Sequence, residues 1–221
     1  MEKILFTWSG GKDSAMALYK LQQEKEYEVA ALLTTVTKDY GRISMHGVRE
    51  VLLDRQAAAL GLPLTKVYIN KKSANEDYEA AMRKTLEQYI AQGITTVAFG
   101  DLFLEEVRQY REQNLAPLKM QALFPLWGQN TTKLANRFID LGFKTIITCV
   151  DTEQLDPKFT GRIFDKKFLA ALPPNADPCG ENGEFHSFVY NGPNMQEPVY
   201  FSKGDVVLRD NRFNYCELLP N

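Results

Sequence analysis

Apolar residues along this chain fall into short blocks whose spacing switches back and forth between two periods. Residues 3–8 are an apolar run closed at once by Ser9-Gly10-Gly11, which predicts a short buried strand. Ala15, Leu18 and Leu21 then repeat at helical spacing, with Met16 and Tyr19 beside them. Residues 29–36, rich in Leu, Val and Thr, predict a second buried strand. Helical periodicity returns over 48–60 and stops at Gly61, with Pro63 beyond it. Strands are expected at 65–69, 95–99 and 143–150, and helices at 74–91, 104–113 and 131–141. Strand alternating with helix is the signature of a parallel sheet covered on both faces. The right-handed crossover rule narrows it to doubly wound forms. The expected fold class is therefore α/β, a doubly wound, mostly parallel five-stranded sheet.

The pattern changes near residue 151. Pro157, Pro173, Pro174, Pro178, Pro193 and Pro198 interrupt the chain, and 185–190, 199–201 and 206–208 read as short strands. This predicts a smaller α+β region packed on the sheet. The segment 116–129, with Pro117, Pro125 and Gly128, has the composition of a linker. The expected division is 1–128 and 129–221, with a boundary near 151 as the other placement.

Between the first strand and the first helix stands Ser9-Gly10-Gly11-Lys12-Asp13-Ser14. Glycines let backbone approach a ligand closely. A helix N-terminus adds unpaired N–H groups and the positive end of a dipole, a ready site for phosphate. Ser9 and Ser14 add hydroxyls, and Lys12 adds a mobile positive charge. The kinase-type loop needs a glycine five residues before its final Gly-Lys, and Phe6 stands there; Asp13 follows the lysine where that loop needs Ser or Thr. The alternative is a serine-capped strand-to-helix turn with no ligand.

Composition adds limits. A net charge of -2 gives no global attraction to nucleic acid. Cys149, Cys179 and Cys216 are far apart, with no CxxC pair, so neither a disulfide scaffold nor a structural zinc site is expected. The opening apolar run is too short for a signal peptide or a membrane span, which places the protein in the cytoplasm.

The loop resembles the PP-loop, SGGxDS, of ATP pyrophosphatases. Met45-His46-Gly47-Val48-Arg49 and Asp177-Pro178-Cys179-Gly180-Glu181-Asn182-Gly183-Glu184-Phe185-His186 sharpen the likeness, with Gly100-Asp101, Pro125-Leu126-Trp127 and Thr160-Gly161-Arg162 in the fitting order. Together they resemble the diphthine–ammonia ligase (diphthamide synthetase) family. The stretch from Asn191 onward looks like shorter bacterial relatives, and bacteria lack diphthamide.

The resemblance implies an adenine nucleotide alpha hydrolase-like fold and an amide ligase. ATP adenylates a carboxylate, pyrophosphate leaves, and ammonia displaces AMP. The acceptor carboxylate would sit on a protein such as elongation factor 2, or on another acceptor in a bacterial relative. ATP would be held by Ser9, Gly10, Gly11, Lys12, Asp13, Ser14, His46, Gly100 and Asp101. Magnesium takes one or two carboxylates plus phosphate oxygens, and Asp13 and Asp101 are its candidate ligands. Lys12, Asp13, Glu184 and His186 are the candidate catalytic groups. Glu181, Asn182, Gly183, Glu184 and Trp127 are the candidate acceptor contacts. Read from the residues alone, Glu184 and His186 can share one face of a following strand and handle a proton or bind ammonium. The alternatives are a surface hairpin for 180–186, a capping or core histidine for His46, a helix cap for Asp101, and core packing for Trp127. A homodimer is compatible with all of this. Two rival functions remain open here: a PP-loop tRNA-modifying enzyme, which would call for paired cysteines or a basic appended domain, and a nucleotide-binding sensor without turnover.

Overall fold

The computed structural model describes residues 1–39, 41–43, 47–70 and 75–221. Five strands run parallel: β1 (Glu2–Thr7), β2 (Tyr27–Thr37), β4 (Leu64–Ile69), β5 (Thr96–Ala98) and β6 (Gln121–Leu123), in the spatial order β4-β2-β1-β5-β6. The short β3 (Arg42–Ile43) pairs antiparallel with the end of β2. The chain winds outward from β1 through β2 to β4, then returns to lay β5 against the other edge of β1. Strand order reverses between β1 and β5, where open α/β sheets form their ligand crevice.

Alternation along the strands divides the core. Ile4 and Phe6 of β1 and Leu32 of β2 face α1 (Lys12–Gln23) and α2 (Glu50–Leu60), packing on Leu18, Leu21, Leu52 and Leu53. Leu5, Ala31 and Leu33 face the other way, with Leu86 of α3 (Asn75–Ile90) and Leu115 of α4 (Glu105–Leu115) in the same cluster. Each buried leucine contributes roughly 1.5–3 kcal/mol. Gly61 ends α2 in the left-handed conformation, φ 67°, donating its N–H to the carbonyls of Ala57 and Ala58.

A second sheet follows. β7 (Lys144–Asp151), β8 (Phe185–Asn191), β9 (Phe201–Arg209) and β10 (Phe213–Pro220) are antiparallel, in the order β8-β7-β10-β9. α5 (Thr131–Asp140), capped by Asn130, and α6 (Lys166–Ala171), capped by Asp165, lie with this half. Phe138, Phe143, Phe164, Phe168 and Phe185 belong to the same core cluster as β1 and α1, so apolar packing is continuous between the two halves.

The fifth parallel strand is β6 rather than the expected 143–150. β7 is buried along nearly its whole length, which gives an antiparallel strand the unbroken apolar run of a parallel one. β6 has three residues, too few to carry a period, and lies in the segment expected to be a linker. Of the run 199–201 only Phe201 is strand, and 206–208 lies inside the longer β9, exposed along most of its length; β10 beside it has no counterpart among the expected strands. Among the described residues no helix is long and apolar enough to cross a membrane.

Candidate active site

A cavity of about 730 Å³ opens over the carboxyl ends of β1, β2 and β5. Ser9, Gly11, Lys12, Asp13, Ser14, Gly100, Asp101, Glu181, Gly183 and His186 all line it. The loop after β1 is held by its own hydroxyls: Ser9 and Ser14 Oγ lie 3.0 Å apart, Ser14 Oγ donates to the Gly11 carbonyl at 2.9 Å, and the Gly11 N–H donates to Ser9 Oγ at 3.3 Å. Gly10 has φ 76°, and a Cβ there would stand 2.6 Å from Gln56 Oε1. A Cβ on Gly100 would stand 3.0 Å from the Ser14 nitrogen, so the β5 end presses on the first turn of α1. The loop and the β5 end thus face each other across the reversal in strand order.

The second sheet completes the loop. The Val189 N–H donates to the Gly10 carbonyl at 2.9 Å, and the Lys12 N–H donates to Ser187 Oγ at 3.2 Å. Gln56, fully buried on α2, is the hub. It accepts from Trp8 Nε1 at 3.0 Å and donates to the carbonyls of Gly10, at 3.0 Å, and Val189, at 2.5 Å.

Lys12 is not the mobile cation expected. It is 4% exposed, its Nζ lies 2.6 Å from Asp13 Oδ2 and donates to the Cys179 carbonyl, and it sits over the Phe185 ring. Burial alone would lower the ammonium's pKa, but Asp13 beside it, together with Cys179 and Glu181, outweighs that and holds it above the ordinary lysine value.

The segment 177–186 folds as a tight loop. Asp177 Oδ2 accepts from the N–H groups of Cys179 and Glu181, both at 3.1 Å, and Gly180 and Gly183 take φ 67° and 87°. Its two glutamates part company. Glu184 is 3% exposed and turned inward, where Oε1 accepts from Asp177 N at 2.7 Å and Asn182 Nδ2 at 3.1 Å; it is not among the residues lining the cavity. Glu181 lines the cavity and accepts from the Leu102 N–H at 2.7 Å, latching the loop to the β5 end. Burial pushes the Glu181 carboxyl up to about 7; the Leu102 N–H opposes the shift and the Asp13 carboxylate adds to it.

Of the remaining expected residues, Asn182 is exposed. Trp127 packs on Phe124, with centroids 5.6 Å apart, and lies under the Arg108 guanidinium, outside the cavity lining. Met45 and His46 lie outside the described residues. Among the described residues no cluster of three or more His, Cys, Asp or Glu is placed to hold a metal ion. Sequence reasoning missed Gln56 and Ser187. Only Gln56 left a signal, as a lone amide on the apolar stripe Leu52, Leu53, Ala57, Leu60.

Residues 2–116 match the family described as diphthamide synthase N-terminal domain, and residues 130–206 match the diphthamide synthase C-terminal domain. The chain belongs to the diphthamide synthase family. Relatives of this chain include the diphthine–ammonia ligase of Bos taurus, 26% identical with 90% of this chain and 82% of that protein covered. The diphthine–ammonia ligase of Homo sapiens is 25% identical, with 90% and 83% covered. Among solved structures, the U34-tRNA thiolase NcsA from Methanococcus maripaludis with its [4Fe-4S] cluster overlaps 64% of this chain and 57% of its own, at 18% identity and a TM-score of 0.39.

Proposed function

We propose that the chain is an ATP-dependent carboxylate–ammonia ligase that splits ATP between the α- and β-phosphates. A carboxylate oxygen of the acceptor attacks the α-phosphorus and pyrophosphate leaves. Ammonia then attacks the acyl carbon, AMP leaves, and one proton is released as the amide forms. The names of the relatives support a diphthine as the acceptor. The observation that carries the reading is the pairing, at the strand reversal, of the loop Ser9–Ser14 with Gly100-Asp101 in one cavity that Glu181 also lines.

Each group has a part in this scheme. The N-terminus of α1 binds phosphate oxygens, and the Ser9 and Ser14 hydroxyls join it by turning out of their bonds within the loop. Lys12 holds the loop to the C-terminal segment and supplies positive charge behind it. Asp13 and Asp101, both in the cavity lining, would hold a magnesium ion, which would offset phosphate charge. Glu181 takes the acid–base role first expected of Glu184, because it is the one that lines the cavity and its carboxyl is poised near neutral pH to accept ammonia's proton. His186 stands beside it in the lining. Incubation with ATP, ammonium and diphthine-modified elongation factor 2 should yield AMP and pyrophosphate. ADP and phosphate as products would overturn the scheme, and so would the absence of any acceptor-dependent product.

A further inference from the structure

The cavity is wider than a phosphate site requires. It continues as a groove between α3 and α4, floored by Leu33, Val97 and Phe99 and walled by Leu86 and Leu115. Strand order gives the groove two ends. Thr35 and Ile69, at the ends of β2 and β4, line one end, on the β2 side of the phosphate loop. Tyr110, Arg111 and Asn114 of α4 line the other, on the β5 side. A nucleoside joined to phosphates in the loop can lie toward only one of them, and the scheme above needs a second ligand to reach the same phosphorus.

Arg111 distinguishes the α4 end. Its guanidinium carbon lies 5.1 Å from the Phe99 ring centroid, stacked against the floor of the groove. Its Nε is buried without a hydrogen-bond partner, the nearest carboxylate oxygen being Asp101 Oδ2 at 3.6 Å. Asp101 follows Gly100, which presses on Ser14, so Arg111 stands at the rim of the phosphate loop. Arg108, one turn earlier on α4, is by contrast engaged with Glu112 at 2.8 Å and stacked on Trp127. A stacked guanidinium with spare donors is a planar fork that matches a carboxylate.

Resting on the ligase reading, we infer that the α4 end of the groove is the acceptor site and that Arg111 anchors the acceptor's carboxylate beside the phosphate loop. The ligand class follows from the lining. It is a carboxylate on a stem with an apolar or aromatic part, that part lying along Leu115 and the edge of Phe99, whose face is stacked on Phe124, and the oxygens meeting the guanidinium. Apolar walls with a few convergent polar groups are the usual make-up of such a site, and Glu79 and Arg83 of α3 share this lining with Arg111.

Arg111→Ala and Asn114→Phe test it, the first removing the anchor and the second filling the groove from a half-buried position outside both cores. ATP affinity is read by calorimetry. Binding of diphthine-modified elongation factor 2 is read by anisotropy with the enzyme saturated in a non-hydrolysable ATP analogue, so that turnover is not needed. The expected result is an acceptor affinity lower by roughly 10- to 100-fold in both variants, the range for loss of a charge-assisted hydrogen bond, with ATP affinity within about twofold of wild type. Unchanged acceptor binding in both variants overturns the site while leaving the ligase reading intact. A tenfold loss of ATP affinity also overturns it, by giving Arg111 and the groove to the nucleotide. If wild type fails to bind this acceptor at all, the ligase reading and the site assignment fall together.

Discussion

Gln56→Leu should cost the protein far more than a swap of similar-sized side chains ordinarily does. Gln56 is fully buried, and three of its four hydrogen-bonding positions are used. Leucine leaves the Trp8 indole N–H, on a side chain 3% exposed, and the Val189 carbonyl without their partner, whereas the Gly10 carbonyl keeps the Val189 N–H. Each orphaned buried group costs roughly 1–3 kcal/mol, which sets the loss at about 2–6 kcal/mol with a centre near 4. Against a total stability of roughly 5–15 kcal/mol this is a large fraction. Urea denaturation followed by circular dichroism should show a lower midpoint at unchanged slope. The emission of Trp8 should shift as its indole N–H loses its acceptor, and ATP affinity should fall because the same amide holds the Gly10 turn. A loss below about 1 kcal/mol, with ATP affinity intact, would refute the view that this amide organises the phosphate loop.

Glu181 carries a pH signature. Its folded carboxyl lies at about 7 against an ordinary 4.5, so the folded chain binds more protons than the unfolded one between those values, and stability falls as pH rises through that window. The drop is on the order of 3 kcal/mol, and Glu181→Gln should flatten it in denaturation curves measured at pH 5 and pH 8. Asp151 behaves oppositely. The Arg212 guanidinium, 2.6 Å away, holds its carboxyl down at about 2, so it contributes about 2 kcal/mol that is present above the ordinary aspartate value of 3.8 and lost as pH falls toward 2. Arg212→Ala should move the acid-unfolding midpoint to higher pH by circular dichroism; an unmoved midpoint would remove the pair from the account. Gly10→Ala faces both a positive φ and the 2.6 Å approach to Gln56 Oε1. It should lose on the order of 1–3 kcal/mol and most of its ATP binding by calorimetry, and wild-type affinity would show that the turn relaxes freely.

How much of this was legible depended on whether a residue's role is set locally. The loop Ser9–Ser14 could be read because strand, glycines and helix are consecutive, and the α/β alternation through β5 because each element is long enough to show its period. β6 could not, with three residues lying between Pro117 and Pro125. β7 misled because burial of both faces looks the same in either kind of sheet. Within 181–184 the sequence offers two glutamates three residues apart, and which one faces the cavity is decided by the left-handed turns at Gly180 and Gly183 and by the Asp177 bonds. Lys12 reads as a mobile cation in the sequence because the Cys179 carbonyl that fixes it, alongside Asp13, lies far along the chain.

That distance has a consequence for how the protein is made. The Gly10 turn is closed by the Val189 N–H, the Lys12 N–H by Ser187, and the Lys12 ammonium by the Cys179 carbonyl. A ribosome that has finished the parallel sheet has released a phosphate loop still lacking those three partners. The motif is translated well before the segment that completes it, and it is assembled only after the chain beyond residue 179 has emerged and β8 has docked. Closing contacts so far apart in sequence is slow compared with forming helices. A nascent or truncated chain that stops short of β8 should therefore own the whole SGGKDS sequence and yet have no finished nucleotide site, so ATP capture by this protein reports that the segment through β8 is in place.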